Sequence, residues 1–241
     1  CMGLTTNQQG FPHDECGLDP YGGLKDSRDG QVYRTVRIGK QNWMAENLAY
    51  MPADGHGAWA QEGGTDSTEK YGLHYSWTTA MKLDDVWAHR AWPGSDSLHQ
   101  GICPDGWHLP NYAEWEELAL FVERVADLSQ KTLTPLPDSV NTGSLLKARN
   151  AWGEGYKGLD SHGFRALPSG HRYDSTYAVG SSAYFWTSHT SNDTLSIERQ
   201  LLSYALEGFY YRNAEELYWY SEPRTTGNSV RCVMNAAQDS L

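Results

Sequence analysis

The sequence predicts a loop-rich α+β domain with antiparallel sheets, and three observations lead to this prediction. Glycine, tryptophan and tyrosine are abundant, with 24, 10 and 15 residues respectively. Only residues 111–125 show a long helical period of apolar side chains. Short strand-like patterns occur near residue 32 and again between residues 183 and 233. Many short strands with few helices are typical of an α+β fold.

Residues 1–23 combine Asn, Gln, Gly and Pro without any apolar period, which is typical of a tether. The tether is followed by the turn signal Asp29-Gly30. We expect Val32, Val36 and Ile38 to share one face of the strand after this turn, with Tyr33 on the opposite face.

A second turn at Gly39-Lys40 leads into a strand that runs through Trp43. Residues 51–70 are rich in Gly, Ser and acidic residues, so we expect a surface loop there. The histidines that follow, His74, His89 and His99, lack the spacing of metal ligands. A metal site at these histidines is therefore not expected.

The segment at 111–125 has the signals of an amphipathic helix that begins at a defined residue. Asn111 can act as the N-cap, and Glu114 can close a capping box by accepting from the N–H of Asn111. Pro110 blocks continuation of the helix backwards. The apolar residues of this helix recur at helical spacing and are Trp115, Leu118, Ala119, Val122 and Val125. One face of the helix must therefore be buried.

Beyond this helix, residues 130–144 are rich in Thr, Pro, Ser and Gly, so we expect irregular structure. A packed segment resumes at Leu145 and Trp152. The strand-like patterns of the last third are 184–188, 196–202, 207–211 and 230–233. We expect them to form an antiparallel sheet.

The formal net charge of −11 disfavours binding to nucleic acid or to an anionic membrane surface. No apolar run is long enough to span a bilayer.

Several sequence blocks together resemble the Fibrobacter succinogenes major paralogous domain. In chain order they are Asp26-Ser-Arg-Asp-Gly-Gln-Val-Tyr33, Ile38-Gly39, Trp43-Met-Ala-Glu-Asn-Leu48, Cys103-Pro-Asp-Gly-Trp-His-Leu-Pro110 with Glu114-Trp115, Gly163-Phe164-Arg-Ala-Leu-Pro168, Gly170, Phe185-Trp186 and Ser229-Val-Arg-Cys-Val233. This resemblance covers roughly residues 24–234. It implies a C-type-lectin-like fold, similar also to formylglycine-generating enzymes, with two main helices, the second near Trp77.

The spread of these blocks implies one domain over residues 24–236, with a tether before it at 1–23 and a tail after it at 237–241. The resemblance also places the loop before the central helix beside the last strand, and so implies a disulfide between Cys103 and Cys232. It further implies that Phe164 is wedged into the core. The family has no assigned reaction.

The chain begins with Cys1, which resembles the lipidated cysteine of a bacterial lipoprotein after removal of a signal peptide. Lipidation there would anchor the protein to the outer membrane, with the domain facing the cell surface. An ordinary thiol at Cys1 remains open, and in that case a Cys1–Cys16 bridge is the alternative.

No catalytic motif is visible in the sequence: Gly-x-Ser-x-Gly, His-Glu-x-x-His, Cys-x-x-Cys and phosphate-binding glycine loops are all absent. The expected protein is therefore not an enzyme and has no cofactor, although a hydrolase or oxidase on the same scaffold stays as a third hypothesis. The calcium-binding motifs of C-type lectins are also missing, since Arg224 follows Glu222-Pro223. A structural calcium held by carboxylates such as Asp54, Asp66 or Asp96 stays open.

Aromatic residues concentrate in the last third of the chain, where lectin-like folds present their ligands. Consecutive rings in a strand cannot all point inward, so some must be exposed or covered by a partner. The alternative is packing beneath loops. The predicted ligand-binding residues are Trp186, His189, Tyr210, Tyr211, Arg212, Asn213, Tyr218, Trp219, Tyr220 and Arg224. The first hypothesis is an adhesin that binds polysaccharide, and the second is a subunit of an outer-membrane assembly that binds an envelope protein.

Overall fold

A computed structural model describes residues 4–6, 12–14, 21–61, 65–94, 98–130, 142–153, 158–192, 194–202 and 217–235. The helices are α1 (Thr65–Tyr71), α2 (Trp77–Ala80), α3 (Tyr112–Gln130) and α4 (Thr142–Leu146), with a 3-10 turn at Asp85–Ala88. The strands are β1 (Leu4–Thr6), β2 (Pro12–Asp14), β3 (Tyr21–Lys25), β4 (Val32–Ile38), β5 (Gln41–Met44), β6 (Ala58–Trp59), β7 (His74–Tyr75), β8 (His171–Arg172), β9 (Thr176–Tyr177), β10 (Ser182–Thr190), β11 (Leu195–Leu202), β12 (Leu217–Pro223), β13 (Asn228–Ser229) and β14 (Val233–Asn235).

This mixture of helices and mainly antiparallel sheets confirms the predicted α+β class. No helix in the described parts of the chain is long and apolar enough to cross a bilayer.

A four-stranded antiparallel sheet has the order β14-β5-β4-β3. It joins the two ends of the domain, since Val233 of the last strand pairs with Trp43 of β5. Both faces of the sheet are buried: Val36 and Ile38 pack into one cluster of the core, and Tyr33 packs into another. Val32 is on the same face by alternation, but at the start of β4 it lies beyond the core and is 60% exposed.

The second sheet has six strands in the order β12-β11-β10-β13-β7-β6. All of its pairings are antiparallel except that between β10 and β13, where Phe185 lies opposite Ser229. Successive side chains of the buried strand β10 point to opposite faces of the sheet, so Phe185 packs in the first core cluster and Trp186 in the second.

Helix α3 begins as predicted, with a complete capping box. The Glu114 N–H donates to Asn111 Oδ1 at 3.0 Å, and the Asn111 N–H donates to Glu114 Oε2 at 2.9 Å. The other carboxylate oxygen of Glu114 lies 2.6 Å from His108 Nε2. Trp115, Leu118, Ala119 and Val122 of this helix are buried. The start of α3 is therefore fixed both by its own cap and by the preceding loop.

The disulfide between Cys103 and Cys232 is present, which confirms the implied pairing. Both cysteines are fully buried in the second core cluster. Phe164 is also fully buried, among the rings of Trp43, Trp115 and Phe185.

Two of the predicted segments contain strands or helices that were not expected. Residues 51–70 contain β6 and most of α1, so they are not one continuous loop. Within the predicted tether, β1 pairs with β2, and β3 already begins at Tyr21. The predicted strand at 207–211 lies outside the described residues, as do Cys1 and Cys16.

Candidate functional site

Three rings meet at the surface beside the start of α3 and form what is here called the aromatic platform: Tyr112, His189 and Trp219. Tyr112 and Trp219 are stacked, with ring centroids 4.1 Å apart and planes inclined by 12°. The His189 ring lies 5.9 Å from that of Tyr112. Tyr112 is 41% exposed, whereas Trp219 is half-buried against the first core cluster. A face-to-face pair at the surface holds an aromatic ring in place before any ligand arrives.

Each ring of the platform comes from a different element. Tyr112 is the first residue of α3, and Trp219 lies in β12, which is at one edge of its sheet as described. The Ser188 N–H donates to the Pro110 carbonyl at 2.9 Å, which brings the end of β10, and so His189, to the helix start. The Trp219 indole N–H donates to Glu116 Oε1 at 2.8 Å. The platform therefore rests on the capped first turn of α3.

A depression of about 390 Å³ lies beside Tyr112 and His189 and is lined by these two residues with Asn111 and Ala113. The first N–H groups of a helix have no acceptor within the helix, so those of Tyr112 and Ala113 are available as donors. An aromatic face next to hydrogen-bond donors can contact both the C–H groups and the hydroxyl oxygens of a sugar ring.

The structure brings together only some of the predicted ligand-binding residues. His189 and Trp219 belong to the platform, whereas alternation along β12 directs Tyr218 and Tyr220 to the opposite face from Trp219. Tyr220 is 45% exposed there. Tyr210, Tyr211, Arg212 and Asn213 lie outside the described residues.

The prediction for Trp186 as a ligand contact is corrected by its burial. Its side chain has no exposed area, and its indole N–H donates to the Tyr75 carbonyl at 2.7 Å. The ring fills the second core cluster, so no face of it is available for stacking on a ligand.

Arg224 is likewise a structural residue, since only 1% of it is exposed. Its guanidinium donates to the carbonyls of Trp87, Arg90 and Asn192 at 2.6 to 2.8 Å. It also lies over the Trp77 ring, 4.5 Å from the centroid. Arg224 therefore ties two loops to the end of β12 and leaves the ligand surface to other residues.

Tyr112 is the platform residue that sequence reasoning missed. The available signal was helical spacing: Tyr112 lies three residues before Trp115 and seven before Ala119, so its ring extends the apolar face of α3 to the first residue of the helix. Its partner Trp219 is 107 residues away in sequence, so no local pattern links the two rings.

A second concave surface, a cleft of about 540 Å³, lies between segment 50–56 and segment 79–85. Arg28 and Ile102 also line it. The cleft shares no lining residue with the aromatic platform. Within the described ranges, no three His, Cys, Asp or Glu side chains are arranged to hold a metal ion. Of the proposed calcium ligands, Asp54 lines the cleft and Asp96 is outside the described residues.

Beneath the six-stranded sheet, His171 is a buried titratable group. Its ring stacks on Tyr184 with centroids 4.2 Å apart, and only 6% of the residue is exposed. Burial lowers the pKa of His171 from 6.5 to about 4. Between pH 6.5 and pH 4, His171 is therefore protonated in the unfolded chain but neutral in the folded chain, which favours unfolding. We expect His171 to lower the free energy of unfolding by about 3 kcal/mol as the pH falls from 6.5 to 4.

Urea unfolding of the wild type and of His171→Phe at pH 7.5 and pH 4.5 measures this contribution, because Phe keeps the stacking ring and does not titrate. Asp160, whose burial raises its pKa to about 6, acts in the opposite direction and is present in both proteins. The loss of stability on acidification should therefore be smaller in the variant. Equal losses in the two proteins would contradict the prediction.

Comparison with known proteins identifies the family of this chain. No characterised protein and no solved structure matches it significantly. A family model, described as the Fibrobacter succinogenes major domain, matches residues 36–234, which include most of both core clusters, the disulfide and the aromatic platform. The chain therefore belongs to the Fibrobacter succinogenes major domain family.

Proposed function

We propose that this protein is a non-catalytic lipoprotein of the cell envelope whose lectin-like domain binds polysaccharide through the aromatic platform. The observation that carries the proposal is the stack of the exposed Tyr112 ring on the half-buried Trp219. Lipidation of Cys1, anchoring in the outer membrane and display on the cell surface belong to the same proposal. The lectin-like character of the fold is supported by the resemblance of its sequence blocks.

Sugar binding suits this platform for two physical reasons. The stack with Trp219, itself held by the bond to Glu116, limits the motion of the Tyr112 ring, so little conformational entropy is lost when a ligand stacks on it. The adjacent depression adds His189 and the N–H groups at the start of α3, which can bind hydroxyl oxygens. The acidic chain favours a neutral or basic polysaccharide over an acidic one.

Truncation of the platform should abolish binding without unfolding the domain. We expect Tyr112→Ala and Trp219→Ala each to weaken polysaccharide binding by about tenfold or more, because each ring supplies a large part of the contact area. Affinity electrophoresis through gels that contain cellulose derivatives, xylan, mannan or bacterial capsular polysaccharide measures this effect.

Tyr220→Ala is the matched control, because Tyr220 is similarly exposed and lies on the opposite face of the same strand. It should leave binding unchanged, and Tyr112→Phe should retain most of it. If no polysaccharide retards the wild type, or if Tyr220→Ala is as damaging as Tyr112→Ala, polysaccharide binding by the platform is refuted.

The second candidate function is that of a subunit in an outer-membrane assembly. The exposure of Tyr220 favours it, because the aromatic surface then continues around the edge strand, beyond the contact area of one sugar chain. Extraction of the native protein with mild detergent, followed by mass spectrometry, distinguishes the two functions. A stoichiometric protein partner supports the subunit, and a lipidated protein that is extracted alone supports the adhesin.

A further inference from the structure

The cleft between segment 50–56 and segment 79–85 has the make-up of a binding site that the aromatic platform does not explain. Its volume of about 540 Å³ is within the range of small-molecule pockets. Its lining combines apolar side chains, such as Leu83 and Ile102, with charged groups of both signs. The arrangement of these charged groups indicates which ligand the cleft would accept.

One wall of the cleft is rigid, because Arg28 is held on several sides. Its Nε and one terminal nitrogen donate to the two oxygens of the buried Asp26 at 2.9 and 2.6 Å. The other terminal nitrogen donates to the Ile102 carbonyl at 2.7 Å. The guanidinium also lies over the Tyr50 ring, 3.8 Å from its centroid. Asp26 compensates the charge of Arg28, so this wall attracts anions only weakly.

Lys82 contributes a positive group that is not compensated in this way. Its ammonium has no carboxylate at ion-pair distance within the described residues. The backbone of Lys82 is left-handed, with φ +54°, and closes helix α2: its N–H donates to the Thr79 carbonyl, and the Leu83 N–H donates to the Thr78 carbonyl. Glycine is the usual residue at this position of a helix C-terminus, so lysine there is not required by the fold.

Three aspartates line the same cleft; Asp85 is paired with His56 and accepts from the Thr78 hydroxyl, and the other two supply further acceptors. Asp54 Oδ1 accepts from the His56 N–H at 3.0 Å, and Asp84 Oδ1 accepts from the Val86 N–H at 2.8 Å. These bonds fix both carboxylates while leaving the second oxygen of each without a bond to any described residue. The cleft therefore holds a donor and acceptors together, beside apolar walls.

We propose that this cleft binds one neutral sugar residue. A hydroxyl group both donates and accepts, so one sugar can use the Lys82 ammonium and the Asp54 and Asp84 oxygens at once. The aspartates of the lining would repel a simple anion, and Lys82 reduces the attraction of the cleft for a simple cation. The apolar walls fit the C–H groups of the ring. The choice of a sugar as ligand of the cleft rests on the proposed function. The cleft and the aromatic platform can be tested separately, because they share no lining residue.

The test follows the methyl signals of Leu83 and Ile102 by NMR while the protein is titrated with the methyl glycosides of glucose, galactose, mannose and xylose. At least one glycoside should shift both methyls in a saturable way below about 100 mM, since a millimolar Kd is expected of a single sugar unit. Tyr112→Ala should not change this affinity, even if it abolishes polysaccharide binding.

Three variants remove individual groups while keeping the local backbone bonds. Asp54→Asn and Asp84→Asn keep the oxygen that accepts from the backbone. Lys82→Gly keeps the helix end and removes backbone strain, so this variant should be at least as stable as the wild type. Each should weaken sugar binding about tenfold, as expected for the loss of a charged hydrogen bond.

Three results would overturn the proposal. One is the absence of a shift with every glycoside, and another is undiminished binding in Lys82→Gly. The third is binding of glucosamine or glucuronate more than about tenfold tighter than that of the neutral sugars, because the cleft would then be an ion site.

Discussion

Replacement of Arg231 by alanine is expected to lower the free energy of unfolding by about 3–5 kcal/mol, because it removes one side of a buried polar contact. The Arg231 side chain is 1% exposed, and its guanidinium donates to Asn47 Oδ1 at 2.6 Å and to the Phe164 carbonyl. It also lies 4.5 Å from the centroid of the Phe164 ring. Alanine would leave a cavity and two acceptors without a donor.

Burial removes water from the charged guanidinium and lowers the pKa of Arg231 to about 9. Two further variants separate the charge from the volume. Arg231→Met refills most of the space without a donor and should lose less stability than alanine, whereas Arg231→Lys keeps a charge that cannot reach both acceptors. Urea unfolding at pH 7 measures all three. A loss below about 1 kcal/mol for the alanine variant would show that the contact is dispensable.

The elements that the sequence predicted correctly are those specified by neighbouring residues. The capping box of Asn111 and Glu114 spans three positions, and the buried stripe from Trp115 to Val122 follows from helical spacing alone. The turn at Gly39 is equally local, with φ +61° in a conformation that suits glycine. For these elements no knowledge of the tertiary fold was needed.

Burial of individual strand residues depends instead on what covers each face of a sheet. Alternation placed Val32 with Val36, but the sheet is covered on both faces and Val32 lies at its end, so Tyr33 is buried and Val32 is exposed. Trp186 was misassigned for the same reason, since β10 also has core on both of its faces. An aromatic pattern in a strand does not distinguish a buried ring from a ligand contact.

The candidate sites depend on contacts between distant parts of the chain. The platform joins residue 112 to residue 219, and the cleft joins residue 28 to segments 50–56 and 79–85. The concentration of aromatic residues in the last third of the chain singled out Trp219 and His189 as ligand contacts, but it did not indicate that both rings lie next to Tyr112. In the same way, no local pattern indicated that the Arg224 guanidinium donates to the Ser196 hydroxyl and to three backbone carbonyls.

Removal of the disulfide is the other change for which a large effect is expected. Cys103 and Cys232 are 129 residues apart, so their bond closes a loop that includes α3 and most of the six-stranded sheet. In the chain-entropy model, a loop of this length stabilises the folded state by about 5 kcal/mol, by restricting the unfolded chain. The bond also holds the loop before α3 against the last strand, where His108 and Val233 exchange backbone hydrogen bonds at 2.9 and 3.0 Å.

The double variant Cys103→Ala/Cys232→Ala should therefore have a lower urea midpoint, and its free energy of unfolding should fall by nearly this amount. Both cysteines are replaced because a single substitution would leave a reactive thiol. The matched control is the wild type measured with a reductant in the unfolding buffer. Reduction should reproduce most of the loss, because unfolding exposes the buried sulfurs. If the double variant unfolds at the wild-type midpoint, the disulfide does not stabilise the fold, and the His108 and Val233 pairing with the surrounding core suffices to hold α3 against the sheet.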